Sequence, residues 1–133
     1  MNMDFAFICD YAEASGKINA LGIGFDTIYA RAVPAIHNLF FLVFQLRATV
    51  TEAGEKNIVV SMIDEDGRGV IPPLNARITV PRPTAGTEST ARVAMAFNGV
   101  QFERYGSYSL HVVVDGHLMV RVPLKVSQPP QSA

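Results

Sequence analysis

The residues whose types and spacing could perform chemistry begin with an acidic loop, Asp64-Glu65-Asp66-Gly67. Its carboxylates could ligate Ca²⁺, since hard cations take several oxygen ligands from one loop. The loop lacks the further oxygens and the closing Glu of an EF-hand, so an acidic hairpin turn is the favoured interpretation. Asp10, Asp26 and Asp115 could join a C2-like cluster only if their loops share one end of the fold. We therefore expect no metal site and no cofactor.

Histidines, serines and glycines offer the other possible sites. His37, His111 and His117 lack metal-ligand spacing, and zinc takes three or four nitrogen or sulfur ligands, so surface histidines are favoured. The sequence has no G-x-S-x-G nucleophile elbow, which leaves a hydrolase without support. Gly22-Ile23-Gly24 lacks the third glycine and the following helix of a dinucleotide-binding loop, so a bend in a strand is favoured. We predict that the chain is not an enzyme.

Composition narrows the class of protein. Among 133 residues, 49% are hydrophobic and 17% are charged, which indicates one globular domain. The net charge of −1 gives no electrostatic attraction to nucleic acid or to anionic membranes, and we expect neither partner. Cys9 is the single cysteine, which fits a reducing compartment. The N-terminus has no basic leader, and the apolar run Leu39 to Phe44 is far shorter than the about 20 residues of a membrane span, so we predict a cytoplasmic protein.

The elements that must position these residues are β-strands, because apolar and polar residues alternate along most of the chain. The segments 10–16 and 51–56 are interpreted as loops, the second of them a hairpin loop, and Asn98-Gly99 as a turn. The pattern predicts an all-β fold: a single two-sheet antiparallel β-sandwich of seven to eight strands, with an open barrel as the alternative. The sandwich covers residues 1–127, and the tail 128–133 is predicted to be disordered. Strands are predicted over 5–9, 17–29, 40–50, 57–63, 77–80, 88–97 and the two arms of 106–126.

The stretch from Gly106 to Val126 is predicted to form the closing hairpin. A two-residue loop at Asp115-Gly116 would place Leu110 opposite Arg121, which mixes the two faces. A three-residue loop with Gly116 in the left-handed position of a G1 bulge places Leu110 opposite Val120 and keeps the apolar face continuous. We therefore predict the three-residue loop. In that register His111 opposes Met119, and His117 opposes Val113.

Gly106-Ser107-Tyr108 resembles the tyrosine corner of immunoglobulin-like sandwiches, in which the Tyr hydroxyl bonds to the upstream backbone. It indicates Greek-key connections and a structural role for Gly106 and Tyr108. The acidic residue often found two positions before the glycine is replaced by Arg104, and the usual Cys pair and core Trp are absent. Over nearly the whole chain, CDYAE, the Gly-punctuated second strand, the DEDG turn and GSYSLHVVVDG resemble a family of small uncharacterised bacterial β-sandwich proteins. That resemblance implies no activity, cofactor or site.

The prediction of function starts from the number of apolar residues, which is larger than the inner face of a sheet needs to form a core. Phe41 and Val43 precede the polar Gln45 and Arg47 on one face of a strand, so either another segment or a partner subunit covers them. We predict a non-catalytic protein–protein interaction or self-assembly module, a homo-oligomer. The alternative is a small-ligand-binding or hydrolytic β-sandwich that uses loop carboxylates. The predicted interface residues are Phe41, Val43, Val113 and Met119.

Overall fold

The computed structural model describes residues 1–130, which form ten β-strands and one turn of 3-10 helix, Val50–Glu52. The all-β prediction is confirmed, although the strands number ten in place of seven to eight. No helix among these residues is long and apolar enough to cross a membrane. The strands are β1 Asn2–Cys9, β2 Tyr11–Ser15, β3 Lys17–Leu21, β4 Thr27–Tyr29, β5 Ala35–Thr49, β6 Gly54–Ile63, β7 Leu74–Val80, β8 Glu88–Phe102, β9 Gly106–Val114 and β10 His117–Ser127.

The strands form three sheets, where the sequence predicted two. One sheet has the order β1-β5-β8, a second has the order β4-β10-β9-β6-β7, and the third is the hairpin β2-β3. The pairing of β4 with β10 is parallel, and the other pairs are antiparallel. β7 lies at the edge of the five-stranded sheet, which is consistent with the closely spaced Pro81 and Pro83 that follow it.

A single large hydrophobic core joins the two larger sheets. The inward side chains of β5 alternate along the strand, and Phe40, Phe44 and Leu46 are fully buried. Leu110 of β9 and Leu124 of β10 meet them from the other sheet. Because both sheets contribute alternate residues to one core, their inner faces pack against each other.

The outer face of the β1-β5-β8 sheet is covered by the β2-β3 hairpin. Val43 of β5, Cys9 and Ala12 form a second buried cluster, with Phe41 at its margin. The interpretation of residues 10–16 as a loop is therefore wrong. Its alternating residues are the small Ala12 and Ala14, which gave a weak strand signal, and Gly16 turns the chain with a φ of 80°. The cover over Phe41 and Val43 is thus another segment of the same chain.

The closing hairpin has a two-residue loop, so the predicted three-residue loop is wrong. His117 pairs with Val114, and Asp115 and Gly116 both have positive φ, of 48° and 83°. A register shift between Leu118 and Val120 then restores the apolar face, which places Val120 opposite Val112. The continuity that motivated the prediction is present, but a bulge inside β10 provides it in place of the loop.

Four other segments differ from or extend beyond the predictions. The predicted strand 17–29 is divided at Gly22 and Gly24 into β3 and β4, which lie in different sheets. β5 and β6 lie in different sheets, so residues 51–56 cross between sheets and are not a hairpin loop. Asn98-Gly99 lies inside β8, where Gly99 adopts a φ of 63° without ending the strand. In the predicted disordered tail, residues 128–130 are exposed without regular structure, and residues 131–133 lie outside the described residues.

The hairpin cover predicts a large effect of Val43→Ala. Val43 is fully buried, so removing two carbons loses transfer free energy and leaves a cavity, and the free energy of unfolding should fall by about 2 kcal/mol. Val50→Ala is the matched control, because Val50 is 47% exposed and should change stability by less than about 0.5 kcal/mol. Urea denaturation of both variants checks this, and equal effects would contradict the cover.

Candidate interaction surfaces

The acidic loop is engaged within the molecule. One carboxylate oxygen of Asp64 accepts the backbone N–H groups of Asp66 and Arg68, both at 2.9 Å. The Arg104 guanidinium donates to the other Asp64 oxygen and to Asp66, each at 3.0 Å. The pKa of Asp64 is lowered, mainly by the hydrogen bond from the Arg68 backbone. These carboxylates therefore hold the loop closed.

The loop is also fixed to the turn that precedes β9. Glu65 accepts the N–H of Ser107 at 2.6 Å, and a Cβ at Gly106 would lie 2.3 Å from the same Glu65 oxygen. Gly106 has a φ of 140°, a conformation that favours glycine, and a side chain there would also displace the Glu65 carboxylate. The Tyr108 hydroxyl donates to the carbonyl oxygen of Arg104 at 2.6 Å. Loop and corner thus form one structural unit.

The residues considered for metal and histidine sites are not brought together by the fold. Among residues 1–130, no three His, Cys, Asp or Glu side chains are grouped so that they could hold a metal ion. His111 lies opposite Arg121, not Met119, and its ring contacts the Ser109 hydroxyl at 3.0 Å. Burial lowers the pKa of His111, and the charge of Arg121 lowers it further. His117 is exposed beside the turn and pairs with Val114, not Val113.

The four predicted interface residues lie in three different environments. Val43 is buried under the hairpin and Phe41 is half-buried there, in edge-to-face contact with Tyr11 at 5.2 Å between ring centroids. Met119, at the bulge, packs against the main core. Val113 lies half-buried on the outer face of the five-stranded sheet. Only Val113 is therefore placed on a sheet face that another molecule could reach.

An apolar row crosses that outer face. Val113 pairs with Val59 of β6 on one side and with Leu118 of β10 on the other, and Leu118 is 45% exposed. The next row, two residues along, contains His111 and Arg121 and is polar. Val59 and Val113 are half-buried and Leu118 is exposed, so solvent reaches this row. We call the surface of Val59, Val113, Leu118, His111 and Arg121 the open face.

A second surface, which the sequence reasoning missed, is a cleft of about 630 Å³ beside β4. It combines segments that are distant in sequence: Asp10, the bend after β3, β4 itself and His37 of β5. Gly22 and Gly24 were the available signal, since glycines inside a strand pattern often mark a close backbone approach. We call this the Asp10 cleft; its lining residues are Asp10, Gly22, Ile23, Gly24, Phe25, Thr27, Ile28, Tyr29 and His37.

Comparisons with known proteins leave the activity open. A family model described as "Family of unknown function (DUF6941)" matches residues 4–127. None of the curated proteins matches the chain in sequence. Among solved structures, a Pseudomonas fluorescens alkylpurine DNA glycosylase, AlkC, bound to DNA with an abasic site analog is similar with a TM-score of 0.43 and 12% identity. The match covers 76% of this chain and 27% of the glycosylase chain, and similarity of this size establishes neither a shared fold nor a shared function.

The Tyr108 corner predicts a modest loss of stability in Tyr108→Phe. The variant removes one hydrogen bond and keeps the ring, so the free energy of unfolding should fall by about 1 kcal/mol with the fold intact. Tyr29→Phe is the control, because Tyr29 is 58% exposed and should change stability little. An unchanged denaturation midpoint for Tyr108→Phe would contradict a stabilising role for the bond.

The closed acidic loop predicts that Ca²⁺ does not stabilise the protein. Arg104 already occupies the carboxylates of Asp64 and Asp66, so a cation would have to displace a guanidinium. A ligand that binds only the folded state raises the melting temperature by mass action, and millimolar Ca²⁺ should leave that temperature unchanged. A clear rise that Asp64→Asn abolishes would show that the loop does bind Ca²⁺.

Proposed function

We propose that this chain, which belongs to the family of unknown function DUF6941, is a non-catalytic interaction domain that associates with a second copy of itself through the open face. The observation that carries the proposal is the apolar row Val59, Val113 and Leu118, whose side chains are half-buried or exposed on the outer face of the five-stranded sheet. Contiguous exposed apolar surface is typical of protein interfaces.

The arrangement of the open face supports a protein partner over a small ligand. Its apolar row is bordered by the polar pair of His111 and Arg121, and an apolar centre with a polar margin is the usual organisation of an interface. The surface is part of a regular sheet, and two copies related by a two-fold axis could present the same row to each other. A net charge of −1 gives little repulsion between copies.

We also propose an immunoglobulin-like sandwich in a bacterial, cytoplasmic protein. The larger sheets share one core, and the Tyr108 hydroxyl bonds to the backbone ahead of β9 as in a tyrosine corner. The β2-β3 hairpin is then an addition to the sandwich. The buried free thiol of Cys9 supports a reducing compartment, and the sequence resemblance to bacterial proteins supports the source.

The alternative function, ligand binding or hydrolysis through loop carboxylates, has weaker support. Asp64 and Asp66 are both paired with Arg104, and Glu65 accepts a backbone N–H, so the loop's carboxylates are occupied by groups of the same chain. A general base needs free access to the proton it removes. The geometry therefore favours a structural role for this loop.

Self-association is tested by light scattering after size exclusion at micromolar concentration. We expect the mass of a dimer for the unaltered chain, and a shift to monomer in Leu118→Asp, because a charge would be desolvated within the contact. The dissociation constant should rise at least about tenfold, or about 1.4 kcal/mol.

Leu21→Asp is the matched control. Leu21 is 68% exposed and lies on the β2-β3 hairpin, away from the five-stranded sheet, so this variant should keep the dimer mass. A monomer mass for the unaltered chain would overturn the proposal. Dissociation by Leu21→Asp with no effect of Leu118→Asp would move the contact to the hairpin.

A further inference from the structure

The Asp10 cleft holds an acidic group between exposed apolar walls at the edge of a sheet. We propose that it binds an extended segment of a partner protein in which an arginine or lysine lies next to an apolar residue. The inference rests on the proposed function, in that the chain acts through protein contact. It uses a different surface from the open face, so the two proposals can fail separately.

The charge of Asp10 is the first argument, because it is unpaired within residues 1–130. Each of the chain's five other aspartates has a side-chain partner. Asp10 has neither an ion pair nor a side-chain hydrogen bond among the described residues, although it lies in a concave site. Asp10 is exposed, so its charge is accessible to a cation on a partner. The partnered aspartates are Asp4 with Arg47, Asp26 with Thr27, Asp64 and Asp66 with Arg104, and Asp115 with Lys56.

The Asp10 backbone is anchored to β3, and its carboxylate lies against Gly22. The Asp10 N–H donates to the carbonyl oxygen of Leu21 at 2.9 Å, which ties the end of β1 to the end of β3. Gly22, with a φ of 71°, lies so close that a Cβ there would be 2.1 Å from an Asp10 carboxylate oxygen. The carboxylate therefore occupies the space that a side chain at position 22 would take.

The walls of the cleft suit the apolar part of a basic side chain. Ile23 and Tyr29 both line the cleft, and each is 58% exposed. The methylene stem of an arginine or lysine packs along apolar surface while its charged head reaches a carboxylate, and a guanidinium also stacks on a tyrosine ring. An apolar neighbour on the partner would cover the remaining aliphatic wall.

The edge of the sheet is the argument for an extended segment. β4 is the last strand in the order of the five-stranded sheet, and all three of its residues line the cleft. Its outer backbone groups therefore face no further strand of the sheet. An extended peptide can pair with such an edge, gaining affinity from backbone hydrogen bonds and specificity from side-chain sites beside the strand.

The test is an NMR titration of the ¹⁵N-labelled chain with the peptide acetyl-Ser-Leu-Arg-Leu-Ser-amide at millimolar concentration. We expect shifts confined to residues 10, 22–29 and 37. The same peptide with citrulline in place of arginine is neutral and nearly isosteric, and it should bind at least about tenfold more weakly, the change expected for about 1.4 kcal/mol.

Variants assign the binding to the cleft. Asp10→Asn should weaken binding of the arginine peptide about tenfold at unchanged melting temperature, since the described structure shows no bond to its side chain. Tyr29→Ala should also weaken it. Asp26→Asn is the matched control, because Asp26 is a neighbouring acid outside the cleft lining, and it should leave affinity within about twofold.

Three results would overturn the proposal. The first is the absence of localised shifts, and the second is equal binding of the arginine and citrulline peptides. The third is a shift of the NMR signals of the cleft residues when the protein concentration is raised without peptide. That result would show that a second copy of the chain occupies the cleft. Should Asp10→Asn unfold the protein, the citrulline peptide and Tyr29→Ala still decide the outcome. If the peptide does not bind the Asp10 cleft, the effect of Leu118→Asp on the light-scattering mass is still expected, so the two proposals are tested separately.

Discussion

The burial of β5 on both of its faces is the constraint on which the rest of the structure depends. Phe40, Phe44 and Leu46 point into the main core, and Val43 points the other way into the cluster under the hairpin. Further along that outer face the cover is polar: Gln45 is buried, and its amide donates to Asp4 at 2.7 Å. A buried amide without such a partner would cost a few kcal/mol. Arg47 also bonds Asp4 and lowers its pKa, so the strand passes from interior to solvent with its polar groups paired.

Much of this fold could be predicted where side-chain alternation is strong and the side chains are large. β5, β6, β9 and β10 have long alternating runs that end at clear turn residues. The β2-β3 hairpin was missed because alternation among alanines carries little hydrophobic contrast. Asn98-Gly99 shows the opposite error, since a turn-forming pair was overridden by the pairing of β8 with β5 on both sides of it. In both places the secondary structure depends on pairing and packing with distant segments, which the local sequence does not reveal.

The candidate surfaces were less predictable than the fold, because a surface is made of residues that folding brings together. Parity along a strand showed that Phe41 and Val43 face away from the core, but it could not show whether the chain covers them. Val113 belongs to a row whose other members come from two other strands, and that row depends on the register of the closing hairpin. The Asp10 cleft draws on four separate segments, and only the glycines at 22 and 24 hinted at it.

The bulge in β10 accommodates one extra residue without changing which side chains of the strand are buried. Between Gly116 and Val120 the chain carries one residue more than an uninterrupted ladder would need, and the shift at Leu118 to Val120 absorbs it.

If Met119 were deleted, the two-residue loop would lead directly into a ladder in which Val112 still faces Val120 and Leu110 still faces Val122. A gain or loss of one residue further along β10 would instead turn the residues beyond that point to the opposite face. Tolerance of insertions and deletions is therefore concentrated at a single point of this strand.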